Sequence, residues 1–354
     1  MTVREVHFEI TDRCNAGCPQ CVRTNPDGCV PWDYISNKAC SLEDFMRFSP
    51  PHFLKQLEHI YFCGNFGDPV MAPDLLKIIR YCFLSNPKLS LKVHSNCGLK
   101  TPAWWRELAA LVSGKRFKLV ASIDGITPEV SALYRVRVNF DRAMENVKAF
   151  INDGGVAEWR FVVFGHNEHQ VKDAQSLAAK MGFAGFKSHS STRFFGQLDF
   201  PYTTSGKSFS LTPSSTYTKK FADQKTIPVN QLLTSPREKF KISCSALATR
   251  SVFIDQDGNI TPCCHIGIRL YTFNRGVADV NQDGEIYDIF EKFDMRRVSA
   301  RHRPFDDALN GCLEFNRFLQ QSWAAHGPFV CRMICGKAPA PHAEAPTVRS
   351  LPTV

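Results

Sequence analysis

Three closely spaced cysteines are the residues of this chain that most directly suggest chemistry. Cys14, Cys18 and Cys21 have C-x3-C-x2-C spacing and follow an apolar-alternating run from Val3 to Ile10. Three thiolates this close together can bind three corners of a cubane iron–sulfur cluster, which usually takes four cysteine ligands. A cluster with three protein ligands keeps one iron open, and metal chemistry takes place at an open coordination position. The spacing therefore predicts a reactive cluster.

A zinc knuckle is the alternative for the same cysteines. Structural zinc sites use four ligands, commonly in paired C-x2-C modules. No second pair at knuckle spacing follows Cys21, so the sequence favours the cluster.

The composition is that of an ordinary globular chain. Its 354 residues suffice for two domains, or for one domain with an extension. No apolar run approaches the ~20 residues of a membrane span, and the N-terminus lacks the pattern of a signal peptide. We therefore expect a cytoplasmic protein without a membrane segment. Its 14 cysteines would then be metal ligands and buried thiols, not disulfides.

The net charge of +9 leaves several classes of anionic partner open. A surplus of this size could serve nucleic acid, an acidic peptide or anionic cofactor groups. No basic block or basic helix stands out, so we favour a mildly basic solvated surface over nucleic-acid binding.

Strand and helix patterns alternate over residues 3 to 188. The predicted strands are Val3–Ile10, His59–Cys63, Leu89–His94, Phe117–Ile123, Glu158–Phe164 and Gly185–Ser188. The predicted helices are Ser41–Leu57, Pro73–Ser85, Thr101–Ser113, Phe140–Asn152 and Glu168–Met181. This alternation predicts an α/β fold with a parallel sheet, either open or closed into a barrel. In both cases functional residues should lie at the carboxyl ends of the strands.

Small and polar residues do follow the strands. The cysteine triplet follows the first strand, and Gly64-Asn65-Phe66-Gly67-Asp68-Pro69 follows the second. Strand three ends in Ser95-Asn96, strand four in Ser122-Ile123-Asp124-Gly125, and strand five leads to Asn167. One such loop means little, because Gly, Asn and Asp are common in any loop. A series of five, with a cluster motif on the first, indicates a site.

These motifs, in this order, resemble those of radical S-adenosylmethionine (SAM) enzymes. The triplet matches the family's cluster signature, and the loop at residues 64–69 is similar to its Gly-Gly-Glu-Pro loop. Ser95-Asn96 resembles the Thr-Asn-Gly strand end, and residues 122–125 resemble the Ser-x-Asp-Gly strand end. Arg135, followed by Phe140-Asp141, resembles the family's Arg…Phe-Asp segment. The resemblance covers half the chain and implies a partial (β/α)6 barrel.

The resemblance also implies cofactors and their ligands. Cys14, Cys18 and Cys21 would hold a 4Fe–4S cluster whose open iron binds SAM. The implied SAM-binding residues are Gln20, Gly64, Asn65, Gly67, Asp68, Pro69, Ser95, Asn96, Ser122, Asp124 and Arg135. Two departures affect this set. Gln20 stands where the family usually has an aromatic residue, and Asp68 supplies a shorter carboxylate than the family's Glu. No residue is assigned a catalytic role.

The second half of the chain changes character. Residues 189–240 are rich in Ser, Thr, Phe and Pro, and they predict either a substrate-facing bridge over the barrel mouth or an ordinary linker. Residues 241–336 carry further cysteines, with a predicted hairpin formed by Ile254–Gly258 and Asn259–Thr261. Residues 337–354 predict a disordered tail. The expected domains are therefore a barrel at 1–188, a connector, and a small α+β cluster domain.

The later cysteines resemble those of the SPASM and twitch extensions, which hold auxiliary clusters in radical enzymes that often act on peptides. Cys244, Cys263, Cys331 and Cys335 are the expected ligands of one auxiliary iron–sulfur cluster, and Cys264 or Cys312 could replace one of them. A full SPASM domain has a C-x2-C-x5-C-x3-C segment that is missing here. Buried thiols with a zinc ribbon are the alternative.

The leading hypothesis is a radical SAM enzyme that modifies a peptide or protein side chain and receives electrons from a donor such as flavodoxin or ferredoxin. A second hypothesis keeps this chemistry with a nucleotide, sugar or other small metabolite as substrate. A third is an iron–sulfur or zinc protein that binds partners without turnover. The sequence does not name the substrate, or say whether SAM is consumed.

Overall fold

The computed structural model describes residues 2–194, 197–223, 241–277, 280–324 and 327–337. Most of the predicted tail, at 338–354, and residues 224–240 of the connector lie outside these ranges. Among the described helices, none combines the length and the apolar composition needed to cross a membrane.

Fourteen strands occur in the described ranges. They are β1 (Glu5–Phe8), β2 (Thr24–Asn25), β3 (Val30–Pro31), β4 (His59–Phe62), β5 (Ser90–Ser95), β6 (Phe117–Ser122), β7 (Ala157–Val163), β8 (Gly185–Ser190), β9 (Phe200–Thr204), β10 (Lys207–Leu211), β11 (Lys241–Ile242), β12 (Ser251–Ile254), β13 (Ile260–Thr261) and β14 (Gly336–Lys337).

The α-helices of the same ranges pack mainly outside the strands. They are α1 (Leu42–Phe48), α2 (Pro51–Gln56), α3 (Leu75–Ser85), α4 (Pro102–Val112), α5 (Pro128–Ala132), α6 (Phe140–Asn152), α7 (Val171–Lys180), α8 (Ser215–Asp223), α9 (Ser245–Thr249), α10 (Cys264–Phe273), α11 (Val280–Lys292), α12 (Phe305–Trp323) and α13 (Phe329–Cys335). Short 3-10 turns lie at Pro69–Met71, Glu168–Gln170 and Met295–Val298.

One sheet of eight strands organises the molecule, in the order β13-β12-β1-β4-β5-β6-β7-β8. The six strands from β1 to β8 in this order are parallel to their neighbours. Strand β12 also lies parallel to β1, with Glu5 opposite Ser251 and Phe8 opposite Ile254. The predicted α/β class with a parallel sheet is confirmed. Parallel strands bring their carboxyl ends to one edge, which is where the predicted site should form.

The strand face that packs on the helices forms the core. Leu91, Val93, Leu119, Trp159 and Phe161 are fully buried on this face. Because side chains alternate along a strand, their neighbours in sequence lie on the opposite, concave face.

The predicted elements from Val3 to Ser188 are present, with one helix divided. Residues 41–57 form α1 and α2 because Pro50 and Pro51 interrupt the run, and proline in a helix interior removes a hydrogen bond. Ser41 and Asp44 form the capping box expected of a helix start. Helix α5 was not predicted, since its five residues give too short a periodic signal.

The predicted hairpin exists with shifted bounds. Its strands are β12 and β13, and the intervening turn contains Gln256-Asp257-Gly258. Gly258 has a φ of +80°, which glycine adopts without strain. This hairpin continues the main sheet beside β1, so the C-terminal cysteines are joined to the barrel through backbone pairing.

Candidate functional site

The three N-terminal cysteines lie in one cavity at the carboxyl edge of the sheet. This strand-end cavity has a volume of about 290 Å³, and Cys14, Cys18 and Cys21 line it together with residues from the later strand ends. The predicted SAM-binding residues that line the cavity are Gly64, Asn65, Gly67, Asp68, Ser95, Asn96, Ser122 and Arg135. Gln20, Pro69 and Asp124 lie beside it and are buried.

The cysteine loop is held by its own backbone. The Cys21 amide donates to the Cys18 carbonyl at 2.9 Å, and the Gly17 amide donates to Val136 O at 2.9 Å. A Cβ at Gly17 would lie 2.2 Å from Cys29 O, so the close approach requires glycine. The spacing between the cysteines is therefore shaped by local packing.

Each thiol has a polar neighbour. Arg135 Nη1 lies 3.8 Å from Cys18 Sγ, and Cys21 Sγ lies 3.8 Å from the carbonyl of Asn65. Asn96 Nδ2 approaches Cys14 Sγ at 4.0 Å. Burial raises the pKa of Cys18 to about 11 and raises the pKa of Cys14 as well. Binding of iron would release these protons, since thiolates are the ligands.

The residue set fits a cubane cluster. Within the described ranges, no three His, Cys, Asp or Glu side chains converge on one position suited to a single metal ion. In a cubane cluster each thiolate binds a different iron, so the ligands need only face a shared volume. Cys14, Cys18 and Cys21 meet that requirement in the strand-end cavity.

The loop at residues 64–69 folds tightly against the cysteine loop. A Cβ at Gly64 would lie 1.9 Å from Gly67 O, and one at Gly67 would lie 1.9 Å from Thr11 O. The buried Glu9 carboxylate fixes the turn by accepting the amides of Phe66 at 2.6 Å and Gly67 at 3.0 Å. Burial raises the pKa of Glu9 to about 8. Sequence analysis missed Glu9, which lies in the middle of an apolar run.

Asp68 joins two of the loops. Its Oδ2 accepts hydrogen bonds from Ser95 Oγ at 3.0 Å and from the Asn96 backbone and side-chain nitrogens at 2.8 Å each. Its Oδ1 accepts from Val70 N at 3.0 Å. Asn96 in turn donates to Asn15 Oδ1 at 2.9 Å. Burial raises the pKa of Asp68, although these donors oppose the shift.

Asp124 and Arg135 form a buried ion pair behind the cysteines. Arg135 Nε donates to Asp124 Oδ2 at 2.6 Å, and the Val162 amide donates to Asp124 Oδ1 at 2.6 Å. Burial disfavours the charge on Arg135, but the Asp124 carboxylate raises the pKa of that guanidinium above its ordinary value. The pair places a permanent cation next to the Cys18 thiol.

Gln20 is engaged with the connector. Its Oε1 accepts from Ser191 Oγ at 2.7 Å, and its backbone carbonyl accepts from Arg193 Nη1 at 2.7 Å. Its amide nitrogen lies 3.5 Å from Arg193 O. These contacts hold residues 191–193 at the rim of the strand-end cavity.

Several residues of the cavity wall escaped the sequence analysis. They are Arg23, Cys63, His94, Tyr134, His189 and Arg193. Cys63 and His94 reach the cavity because they follow the inward alternation of β4 and β5. The strand register could have shown this, since His94 lies two residues before Asn96, and residues two apart on an extended chain point to the same side.

A second cavity contains the C-terminal cysteines. This hairpin cavity, also about 290 Å³, is lined by all four cysteines expected to hold the auxiliary cluster and by Cys264. Pairing of β11 with β14 brings the chain segments of Cys244 and Cys335 together, and Cys263 precedes α10. Cys312 lies in the hydrophobic core and does not line the cavity. The four predicted ligands therefore line one cavity.

Helix α10 connects the two cavities. It begins at Cys264, whose carbonyl accepts a hydrogen bond from Asn65 Nδ2 at 3.4 Å. Near its other end, Tyr271 stacks on Phe66 with ring centroids 4.3 Å apart. The Tyr271 hydroxyl donates to Asp12 Oδ2 at 2.8 Å. The helix thus contacts both the loop at 64–69 and Asp12, which lies just before the cysteine triplet.

The chain forms an α/β partial barrel whose strand ends are lined by cysteines, and solved structures share this fold. No protein-family model matches the chain, and no curated protein matches it. SuiB of Streptococcus suis bound to S-adenosylmethionine aligns with 14% identity and a TM-score of 0.52, covering 82% of this chain and 68% of that chain. SuiB bound to its precursor peptide SuiA aligns with 14% identity and a TM-score of 0.51, covering 81% and 66%. Native anSMEcpe with bound AdoMet and the Cp18Cys peptide aligns with 13% identity and a TM-score of 0.50, covering 88% and 81%.

SuiB and anSMEcpe are radical SAM enzymes. This chain has their fold, and the predicted resemblance to that superfamily is confirmed at the level of the fold. The chain spans about two thirds of the length of the SuiB structures.

Proposed function

We propose that this chain is a radical SAM enzyme that modifies a peptide or protein side chain. The observation that carries the proposal is the strand-end cavity. Three thiols and the polar ends of the following strands line one volume, in the order that the sequence motifs indicate.

The cofactors supply the difficult chemistry, and the chain positions them. When bound, a reduced 4Fe–4S cluster and SAM supply a 5′-deoxyadenosyl radical that abstracts a substrate hydrogen atom. Cys14, Cys18 and Cys21 would bind the cluster. The backbone of residues 64–67, preorganised by Glu9, would hold the polar groups of SAM, and Ser95 and Asn96 would do so from the next strand end.

Asp68 has a further requirement in this proposal. Its carboxylate already accepts several hydrogen bonds, so the amino group of SAM would have to share it. Oδ2 already accepts three of these bonds, whereas Oδ1 accepts only the Val70 amide, so the second lone pair of Oδ1 is the position at which the amino group would bind.

The proposed substrate class rests on the neighbours. SuiB is seen with a precursor peptide and anSMEcpe with the Cp18Cys peptide. Ser191, Thr192 and Arg193 line the same cavity, and in this proposal they would contact the substrate. A nucleotide, sugar or other small metabolite is the alternative that the substrate assay below distinguishes.

The hairpin cavity completes the proposal. Cys244, Cys263, Cys331 and Cys335 would bind one auxiliary iron–sulfur cluster within a twitch-like part at 241–336. Cys264 is the better placed substitute, because Cys312 lies in the core. We expect a flavodoxin or ferredoxin as electron donor and a reducing, cytoplasmic location.

Anaerobic reconstitution followed by reduction with SAM tests the proposal. The wild-type chain should bind about eight irons, which corresponds to two cubane clusters, and should release 5′-deoxyadenosine. Changing Cys14, Cys18 and Cys21 to Ala should remove about four irons and abolish this release. Changing Cys244 and Cys335 to Ala serves as the comparison for the second cluster. Mass spectrometry of candidate peptides and metabolites after incubation then identifies the substrate.

Two outcomes would contradict the proposal. Release of 5′-deoxyadenosine that survives the triple change would show that the cluster assignment is wrong. A wild-type chain that binds iron but never cleaves SAM under reduction would support the binding protein without turnover.

A further inference from the structure

The concave face of the sheet carries charge where a closed barrel carries apolar side chains. In closed (β/α)8 barrels the interior is filled by layers of branched apolar residues. Here Lys92, Lys118, Glu158, Arg160 and Lys187 alternate with the buried core residues of β5 to β7 and with the partly buried Phe186 of β8. We call these five residues the charged groove.

Strand alternation connects the charged groove to the strand-end cavity. Lys92 lies two residues before His94 on β5, and Arg160 lies two residues before Val162 on β7. His94 and Val162 line the strand-end cavity. Residues two apart on a strand share a face, so the charged groove continues below the cavity that contains the cysteines.

Positive charge is concentrated in the groove. Lys92 stands opposite Lys118, and Arg160 stands opposite Lys187 in the register of the sheet. Like charges directly opposite each other destabilise a sheet. The two pairs lie on four neighbouring strands, so four cations share one face of the sheet.

One carboxylate serves three of these cations. Glu158 contacts Lys187 at 3.3 Å, Arg160 at 3.4 Å and Lys118 at 3.8 Å. The Glu158 side chain is 8% exposed, whereas the Lys187 side chain is 65% exposed. A single negative charge cannot neutralise three positive ones, so the groove keeps a positive potential.

The other ionisable groups on this face do not cancel that potential. Glu5 lies on β1 toward the opposite end of the strands and lines the hairpin cavity. Glu9 has its pKa raised to about 8 by burial, so it is largely neutral at pH 7. The pKa of His94 is lowered to about 3 by burial and by Arg160, His7 and Lys92, which places this ring among the cations of the groove.

We propose that the charged groove binds an acidic segment of the peptide substrate and guides it to the strand-end cavity. This inference rests on the proposed function and adds the prediction that the peptide substrate carries negative charge. Clefts lined by one sign of charge concentrate ligands of the opposite sign. Strands β5 to β8 lie side by side in the sheet, so carboxylates spaced along an extended chain would pair with cations on successive strands.

Peptide binding to the anaerobically reconstituted chain tests the inference. Fluorescence anisotropy would compare a labelled Glu–Gly repeat peptide with a Lys–Gly repeat and with a single-stranded oligonucleotide. We expect selective binding of the acidic peptide, weakened by salt because exposed charges are screened. The double variant Lys92→Gln/Lys118→Gln should bind it about tenfold more weakly.

A matched control variant removes two lysine charges from a surface outside the charged groove. Lys148→Gln/Lys172→Gln alters two exposed lysines on α6 and α7, on the outer side of the helices, and should leave the affinity unchanged. Circular dichroism would confirm that all variants fold. If the two double variants weaken binding equally, the attraction is general and the inference is wrong.

The place where the acidic peptide binds can be tested separately from the proposed enzymatic function. A photo-crosslinking acidic peptide should label β5 to β8, and labelling elsewhere would overturn the inference. If the oligonucleotide binds more tightly than the acidic peptide, the inference is also overturned, and a nucleic-acid substrate is indicated. Release of 5′-deoxyadenosine is measured separately. A chain that cleaves SAM without preferring the acidic peptide contradicts only the groove, while a chain that binds the peptide but never cleaves SAM contradicts only the proposed function.

Discussion

The strand-end cavity and the hairpin cavity have similar volumes but are assembled in different ways. The loops of the strand-end cavity are connected to one another by buried polar contacts of Glu9, Asp68 and the Asp124–Arg135 pair. The cysteines of the hairpin cavity come from distant segments that meet through β11, β14 and short helices.

This difference indicates how each site depends on its metal. The strand-end cavity has a hydrogen-bond network of its own that shapes the loops before any cofactor binds. In the hairpin cavity the predicted ligands belong to the short segments themselves, so a bound cluster would be a main connection between them. Binding energy of this kind becomes folding energy.

Removal of iron should therefore affect the two regions unequally, and this is the largest effect we expect. Chelation of the reconstituted protein should reduce the local free energy of unfolding around 241–254 and 327–337 by about 4 kcal/mol, as for loss of a tightly bound ligand. Peptides from β4 to β6 should change little. Hydrogen exchange with mass spectrometry measures both regions at once. Equal loss of protection in the two regions would contradict the comparison.

Removing the carboxylate that joins two strand ends should have the next largest effect. Asp68→Ala leaves the buried donors of Ser95, Asn96 and Val70 without their acceptor. We expect a loss of about 3 kcal/mol in the free energy of unfolding. Urea denaturation measures this loss, and SAM binding should disappear as well. Asp68→Asn keeps one acceptor oxygen and should lose less. If both variants behave like the wild type, the strand-end network does not organise the site.

Glu9 should make the stability of the strand-end region depend on pH between about pH 4.5 and 8. Its carboxyl holds a proton up to about pH 8 in the folded chain, against 4.5 in its ordinary state. The folded state thus binds more protons across this window, and stability falls as pH rises. The buried His7 has its pKa lowered to about 4, so it affects the pH dependence of stability only below about pH 6.5.

Because of Glu9, the free energy of unfolding should fall by about 1.5 kcal/mol between pH 6.5 and 8. Glu9→Gln keeps the Oε1 acceptor and should remove that slope in urea denaturation. The exposed Glu145→Gln is the control and should retain it. An unchanged slope in Glu9→Gln would show that Glu9 is already ionised in the folded chain.

Loosening the connection between the cavities should have the smallest effect. Tyr271→Phe keeps the stacking on Phe66 but removes hydrogen bonds to Asp12 and from the Ser36 amide. We expect the binding free energy of SAM to weaken by about 1 kcal/mol, which is a roughly fivefold loss of affinity measured by calorimetry. Tyr81→Phe removes a comparable hydrogen bond to Ser49 O away from both cavities and should not alter SAM affinity.

Much of the architecture follows from local patterns in the sequence. Alternating periodicity located the six parallel strands, and the C-x3-C-x2-C spacing located the first cysteine loop. The division of residues 41–57 into two helices was readable in Pro50-Pro51 but was missed. The pairing of β12 with β1 was not predictable, because no local pattern says which distant strand will add to the sheet.

The site was predicted less completely than the fold. Loop motifs identified residues that point into the cavity from strand ends, such as Asp68 and Asn96. They did not identify Glu9 or His94, whose roles depend on strand register and on burial within an apolar run. The charged groove was overlooked for a related reason. Its lysines are separated by whole helices in sequence, and only the sheet brings them side by side.

The pairing of β12 with β1 has a consequence for the chain as a whole. Without residues 251–254, β1 would be an edge strand, with unpaired amides and carbonyls next to apolar side chains such as Val6 and Phe8. Exposed edges of this kind are templates for pairing with other chains. By covering the edge of β1, the C-terminal part of the molecule therefore also protects against aggregation. β1 is the strand that leads to the first cysteines.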